Sequence, residues 1–124
     1  MTRRTDDYDA IVRTVQLYVD GFNNADIGKF RQAFDENAWI FFIDAGGKLH
    51  RNLISEDFER WASPPGRRIV ARFISVTQAG DAASVQLTFD SADDPASSWV
   101  DFHNLLRVNG VWKITNKTAT HSSR

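Results

Sequence analysis

The sequence predicts an α+β fold: a cone-shaped, curved antiparallel sheet with about three N-terminal helices packed on its concave face. Helical spacing of apolar residues dominates the first half of the chain, and strand-like alternation dominates the second. Asn109-Gly110 also separates two strand-like runs, and a two-residue type I′ turn needs positive φ at both positions. A curved sheet closed by helices leaves one open mouth, where a small ligand can bind.

Three amphipathic segments predict the helices. The first begins near Thr5 or Asp6, either of which can cap it, and Asp26 is expected to cap the second. The third covers residues 54–61 and ends before Pro64-Pro65, because proline cannot continue a helix. The apolar stripes of the three segments are Tyr8, Ile11, Val15, Tyr18 and Phe22; Ile27, Phe30 and Phe34; and Ile54, Phe58 and Trp61.

The turn at Asn109-Gly110 fixes the pairing of the last two predicted strands, which follow strands over 39–43, 68–77 and 83–89. In a regular hairpin, His103 lies opposite Asn116 and Asp101 lies opposite Thr118. One face then carries Trp99, Asp101, His103 and Asn116, and the other carries Lys113, Thr115 and Lys117. We expect the first face to line a pocket and the second to be solvated or to face a dimer partner.

Length and composition favour one domain over residues 1–124 and exclude several classes of protein. The formal net charge of -1 argues against nucleic acid or an anionic membrane as a partner. Cysteine is absent, which excludes disulfides and thiol chemistry. The N-terminus lacks the apolar core of a signal peptide, and no apolar run approaches the ~20 residues that span a membrane. A cytoplasmic location is therefore predicted.

Two phrases, LYVDGFNNADIGKFRQAFDENAWI and WVDFHNLLRVNGVWKITNKT, carry a resemblance to a known superfamily. The chain resembles the nuclear transport factor 2-like superfamily from about Tyr8 to Thr118, and within it the lumazine-binding and polyketide-cyclase-like (SnoaL-like) branch. The resemblance implies the cone fold, a pocket and a homodimer formed through the outer face of the sheet. It implies no particular reaction, because the superfamily includes isomerases, dehydratases, cyclases, non-catalytic subunits and transport adaptors.

Asp101 and His103 are the candidate catalytic pair. They are two residues apart on a predicted strand, so their side chains share a face roughly 7 Å apart. Burial favours a neutral carboxyl group, whereas a nearby imidazolium favours the carboxylate, so the pKa of Asp101 can be tuned toward neutral pH. Proton abstraction or dehydration needs such a group. Alternatively, the pair bonds internally and orients the strand, or contacts Tyr18.

Other side chains are candidates for ligand contact. Asn116 can fix the tautomer of His103 or bind a substrate carbonyl, or it can simply bond across the hairpin. Tyr18 can place a phenol in the pocket, or it can be a core residue with its hydroxyl at the rim. An aromatic box for a planar ligand, part of which must instead be core, is predicted from Trp39, Phe41, Phe58, Trp61, Phe73 and Trp99.

No cofactor is expected. A metal site needs three or four converging ligands, and His50, His103 and His121 are scattered along the sequence. The segment Ala45-Gly46-Gly47-Lys48 lacks the spacing of a phosphate-binding loop.

Three hypotheses for function remain open. The first is binding of a small apolar or aromatic molecule. The second is cofactor-independent isomerisation, cyclisation or dehydration that uses Asp101 and His103. The third is a non-catalytic dimeric accessory role. A cavity filled by the protein's own aromatic side chains would favour the third.

Overall fold

The helices occupy the positions that the sequence predicts. A computed structural model describes residues 4–94 and 96–122. The helices are α1 (Arg4–Asn23), α2 (Ile27–Ala33) and α3 (Phe58–Trp61), and a 3-10 turn over Ile54–Asp57 leads into α3. Asp26 caps α2 as predicted, since its carboxylate accepts a hydrogen bond from the Gly28 amide at 3.0 Å. The predicted cap of α1 at Thr5 or Asp6 is wrong, because the helix already includes Arg4.

Close packing of α1 on α2 depends on Gly21. A Cβ atom at this position would lie 2.6 Å from the Phe30 ring, so a larger residue would push the two helices apart. This contact helps to set α1 across the sheet, against which it packs.

In the part of the chain that the structure describes, six strands form one sheet, which is mixed rather than antiparallel. The strands are β1 (Phe34–Ile43), β2 (Leu49–Leu53), β3 (Ile69–Ala79), β4 (Ala82–Ser91), β5 (Ser98–Val108) and β6 (Val111–His121). Their order is β2-β1-β6-β5-β4-β3. The prediction of an entirely antiparallel sheet is wrong at one pair, because β1 runs parallel to β6. The two strands are far apart in the sequence, so no hairpin turn imposes an antiparallel arrangement on them.

The β5–β6 hairpin has the predicted turn but only half of the predicted register. Asn109 and Gly110 have φ of 52° and 80°, as a type I′ turn requires. Pairing is regular from the turn to Leu105, which lies opposite Ile114. Beyond this point a β-bulge in β6 shifts the register by one residue. The predicted pairing of His103 with Asn116 and of Asp101 with Thr118 is therefore wrong.

After the bulge, the inward-facing residues of β6 have odd numbers, whereas before it they have even numbers. His103 pairs with Lys117, and Asp101 pairs with Ala119. Asn116 instead pairs with Asn104 on the outer face. Because of the bulge, Lys117 occupies the inward-facing position opposite His103 that the sequence predicted for Asn116.

The inner face of the sheet and the helices enclose the core, as expected for an α+β cone. Its largest fully buried apolar side chains are Tyr18, Phe30, Ile11, Ile54, Leu87, Leu105, Ile114, Val15 and Val85. The outer face exposes Trp39, Ile74, Phe102 and Leu106, among other apolar residues. Dimerisation through this face stays a prediction.

Candidate functional site

A cavity of about 440 Å³ opens between the helices and the sheet. It is therefore not filled by the protein's own aromatic side chains. The apolar residues that line it are Phe22, Ile40, Phe42, Trp61, Ile69, Phe89, Trp99 and Ala119, beside Tyr18. Charged residues that line it are Asp57, Arg60, Arg67, Asp94, Asp101 and Lys117. This combination of apolar walls and a few polar groups is typical of a small-molecule site.

Three polar side chains form a hydrogen-bonded chain in the wall of this cavity. The Tyr18 hydroxyl donates to Asp101 Oδ2 at 2.7 Å, and Lys117 Nζ donates to the Tyr18 oxygen at 2.9 Å. Tyr18 and Asp101 are 1% exposed and Lys117 is 5% exposed. They come from distant parts of the sequence: Tyr18 from α1, Asp101 from β5 and Lys117 from β6. We call this group the Tyr18–Asp101–Lys117 cluster.

Opposite charges in the cluster hold Asp101 ionised. Burial alone would raise the pKa of Asp101, but the Lys117 charge and the contacts with His103 and Tyr18 outweigh it and lower that pKa. The pKa of Asp101 is thus shifted away from neutral pH, and the expected shift toward neutral pH is wrong. Burial lowers the pKa of Lys117, while the charge of Asp101 acts in the opposite direction. The cluster thus contains a carboxylate and an amine that gives up its proton more readily than an exposed lysine.

Tyr18 stays a neutral phenol between them. Burial, followed by the charge of Asp101, raises the pKa of its hydroxyl well above the ordinary value. Lys117 Nζ also lies 4.9 Å from the centre of the Tyr18 ring and 4.8 Å from that of Trp61, which provides cation–π contacts. The ammonium group is therefore held between two aromatic faces and one hydroxyl.

The bulge in β6 is the reason that Lys117 points inward, and the predicted outward position of Lys117 is wrong. Regular alternation from Trp112 and Ile114 would have put Lys117 on the outer face. In the structure, the buried apolar positions of β6 switch from even numbers at Trp112 and Ile114 to an odd number at Ala119. A bulge between them accounts for this switch.

His103 is buried beside the cluster but does not line the cavity. Its Nε2 lies 3.5 Å from Asp101 Oδ2, which is longer than an ordinary hydrogen bond. Neither ring nitrogen has a hydrogen-bond partner among the described residues. Its ring packs 4.8 Å from that of Tyr18, and burial lowers the pKa of His103, which favours neutral imidazole. Asp101 and His103 share a face, as predicted, but only Asp101 reaches the cavity.

Of the predicted ligand-binding residues, Tyr18, Trp61 and Trp99 line the cavity and five do not. Trp39 and Phe41 alternate with Ile40 and Phe42, so they lie on the outer face, where Trp39 is 44% exposed. The predicted aromatic box for a planar ligand took residues from both faces of β1, and it was wrong for Trp39 and Phe41.

The other three predicted residues have different surroundings. Phe58 is buried in the core and stacks on Phe30 at 5.5 Å between ring centres. Phe73 is half-buried and packs against the core. Asn116 accepts a hydrogen bond from Asn104 on the outer face, so it neither fixes His103 nor faces the cavity.

Two arginines, Arg60 and Arg67, line the cavity, and no sequence pattern assigned them a role there. Arg67 lies over the Phe22 ring at 5.0 Å, and Arg60 donates to Asp57 at 2.9 Å. Burial lowers the pKa of Arg67, with a smaller contribution from Arg60. Arg67 therefore adds a cation to the cavity wall beside Phe22, whereas the charge of Arg60 is paired with that of Asp57.

Residues 4–94 and 96–122, which the structure describes, contain neither a cluster suited to a metal ion nor a helix suited to crossing a membrane. Within them, no group of three or more His, Cys, Asp or Glu side chains is arranged to hold a metal ion. Likewise, none of the helices in these ranges is long and apolar enough to cross a membrane.

Comparison with known proteins connects this geometry to a family. The profile of a family described as "putative lumazine-binding" matches residues 6–119. The aldolase FrzH of Cladobotryum is 24% identical over 113 residues, which cover 90% of this chain and 88% of that protein.

Solved structures show the same fold. An NTF2-like protein of unknown function from Shewanella baltica aligns with a TM-score of 0.86 and 30% identity, over 99% of this chain and 100% of that one. Another from Silicibacter pomeroyi aligns with a TM-score of 0.80 and 21% identity, over 95% and 98% of the two chains. The profile match, the α+β cone and its cavity agree: this chain belongs to the "putative lumazine-binding" family of NTF2-like proteins.

Proposed function

We propose that the protein binds a small carbonyl compound in the cavity and catalyses proton transfer at the carbon next to the carbonyl group. The observation that carries this proposal is the Tyr18–Asp101–Lys117 cluster, which places a buried carboxylate, a phenol and an amine beside an open cavity. Perturbed ionisable groups concentrate at functional sites.

Removal of a proton next to a carbonyl needs a base and a positive or hydrogen-bonding group near the oxygen. Asp101 supplies the carboxylate, and its lowered pKa keeps it ionised at neutral pH. The nitrogen of Lys117 supplies positive charge where the enolate develops, and the Tyr18 hydroxyl joins the two groups. This scheme replaces the predicted Asp101–His103 pair, because His103 does not reach the cavity.

The cavity walls define the ligand further. Phe22, Phe42, Trp61, Phe89 and Trp99 favour a partly apolar or aromatic compound. The name of the Cladobotryum relative, an aldolase, supports enolate chemistry, because an aldol reaction begins with this step. Isomerisation and dehydration next to a carbonyl share it, so the proposal concerns the step and not the final product.

Solvent exchange tests the proposal. In D₂O, we expect the protein to accelerate loss of the α-proton NMR signal from at least one of phenylacetone, cyclohexanone and pyruvate. Asp101→Asn is expected to lower the rate by about 100-fold or more, since general-base catalysis contributes roughly 10²–10⁴-fold. Asp44→Asn is the matched control, because Asp44 binds His50 at the β1–β2 turn and does not line the cavity. No acceleration with any of the three probes would overturn the proposal.

A further inference from the structure

We propose that Lys117 is a nucleophile that forms a Schiff base with the carbonyl carbon of the ligand. This inference rests on the proposed function and deepens it, because it states in what form the nitrogen of Lys117 supplies positive charge. The substrate class becomes an aldehyde or ketone whose carbonyl carbon can reach Nζ from the cavity.

The first argument is position. The sequence contains four lysines, and among them Lys117 alone lines the cavity. Lys113 instead donates to the Gln32 carbonyl oxygen at 2.7 Å, and Lys29 and Lys48 also lie outside the cavity lining. The backbone of Lys117 is fixed between two strands, since Ile40 of β1 and His103 of β5 are its paired neighbours. A side chain held in this way is pre-organised for attack.

The second argument is the path for protons. Schiff-base formation joins Nζ to the carbonyl carbon, and the carbonyl oxygen leaves as water. Two of the three ammonium protons leave with that oxygen, and the third stays on nitrogen. Tyr18 lies 2.9 Å from Nζ and 2.7 Å from Asp101 Oδ2, so the phenol and carboxylate can pass these protons between nitrogen and oxygen.

The third argument is charge balance in a buried site. An ammonium group and a carbonyl become an iminium and a water molecule, so the positive charge on Nζ is the same before and after. The Asp101 carboxylate therefore has a counter-charge before and after the step. While the neutral amine attacks, the proton that left Nζ can reside on Asp101 by way of Tyr18, so the two groups lose their charges together and no unpaired buried charge forms. A protonated iminium then draws electrons from the neighbouring carbon, which makes its proton easier for Asp101 to remove.

The surroundings of Lys117 favour the neutral amine that must attack. The Tyr18 and Trp61 rings lie within 5 Å of Nζ, and burial lowers the pKa of this amine. Desolvation in an apolar pocket is an established way to activate lysine for this chemistry. A larger neutral fraction than that of an exposed lysine is therefore present at neutral pH.

Acetylacetone tests the inference without the natural substrate, because it condenses with an amine, loses water and leaves a stable vinylogous amide. We expect intact-protein mass spectrometry to show one adduct, of acetylacetone minus water, and peptide mapping to place it on Lys117. Lys117→Met and Lys117→Arg are expected to lose the adduct. The three remaining lysines of these variants serve as internal controls.

The pH dependence gives a second readout. Because the pKa of Lys117 is lowered, labelling is expected to begin at lower pH than labelling of an exposed lysine. Labelling spread equally over the lysines, or no labelling, would overturn the inference.

The exchange assay separates this inference from the proposed function. Lys117→Arg keeps the positive charge but cannot form the Schiff base, so we expect it to lose α-proton exchange. If Lys117→Arg exchanges as fast as the wild type, a non-covalent cation suffices and the inference fails while the proposed function stands. If Lys117 is labelled but no probe exchanges, the Schiff base stands and the proposed function fails. Circular dichroism of both variants confirms that each is folded.

Discussion

The two halves of the β5–β6 hairpin bury opposite kinds of side chain. Near the turn, Leu105, Trp112 and Ile114 are buried apolar residues in the core. Beyond the bulge, Asp101 and Lys117 are equally inaccessible but charged. One bulge in β6 separates an apolar half from a polar half that lines the cavity.

This contrast indicates what each half contributes. Full burial of a large apolar side chain stabilises a protein by about 1.5–3 kcal/mol. A buried ion pair carries a desolvation penalty that can equal or exceed its Coulombic gain, and replacement by apolar residues is often neutral or stabilising. The apolar half therefore accounts for stability. The polar half is better explained by chemistry in the cavity than by stability.

The largest expected effect follows from removing one of the two opposite charges that the Tyr18 hydroxyl bridges. Asp101→Ala leaves the Lys117 ammonium without its carboxylate inside the protein, so we expect the free energy of unfolding to fall by about 3–5 kcal/mol. Urea denaturation at neutral pH measures this loss.

The double variant Asp101→Ala/Lys117→Met is the control, because it removes both charges. It is expected to recover much of the lost stability while the α-proton exchange activity stays absent. A double variant that is no more stable than Asp101→Ala would contradict the account of Asp101 as the partner of a buried charge.

A smaller effect is expected in the apolar half. Ile114 is fully buried, so Ile114→Val should lower the free energy of unfolding by about 0.5–1.5 kcal/mol, because one methylene group is lost from the core. Its exchange rate should equal that of the wild type. Parallel urea and exchange measurements check both values, and a large loss of exchange would show that the two halves are not functionally separate.

Most of the fold could be predicted because its signals are local. Asp26 caps α2 by accepting a hydrogen bond from the Gly28 amide, only two residues away. Asn109 and Gly110 form their turn because both residues readily adopt positive φ. The parallel pairing of β1 with β6 could not be predicted, since it joins residues more than 70 positions apart, such as Ile40 and Lys117. Long-range pairing depends on how the whole sheet closes and leaves no fixed spacing in the sequence.

The site was predictable in part for the same reason. Asp101 was identified because alternation within β5 is unbroken from Asp101 to Leu105. Lys117 was missed because the bulge at Thr115-Asn116 moves every later residue of β6 to the opposite face of the sheet. Neither bulge residue is a glycine, which would have indicated a bulge in the sequence. From sequence alone, a lysine on a strand is also expected to be exposed to solvent. The buried partners of Lys117, which are Tyr18 and Asp101, are visible only in the structure.

The smallest effect is expected at Asn116, the residue that directly precedes Lys117. Asn116 accepts a hydrogen bond from Asn104 at 2.9 Å on the exposed face, so Asn116→Ala should change the free energy of unfolding by no more than about 0.5 kcal/mol. Its exchange rate and acetylacetone labelling should match those of the wild type, whereas Lys117→Met should lose both. In a regular hairpin the two results would be reversed, because Asn116 would face the cavity and Lys117 the solvent. The pair of variants therefore tests the bulge itself, through adjacent residues that differ in the face they occupy.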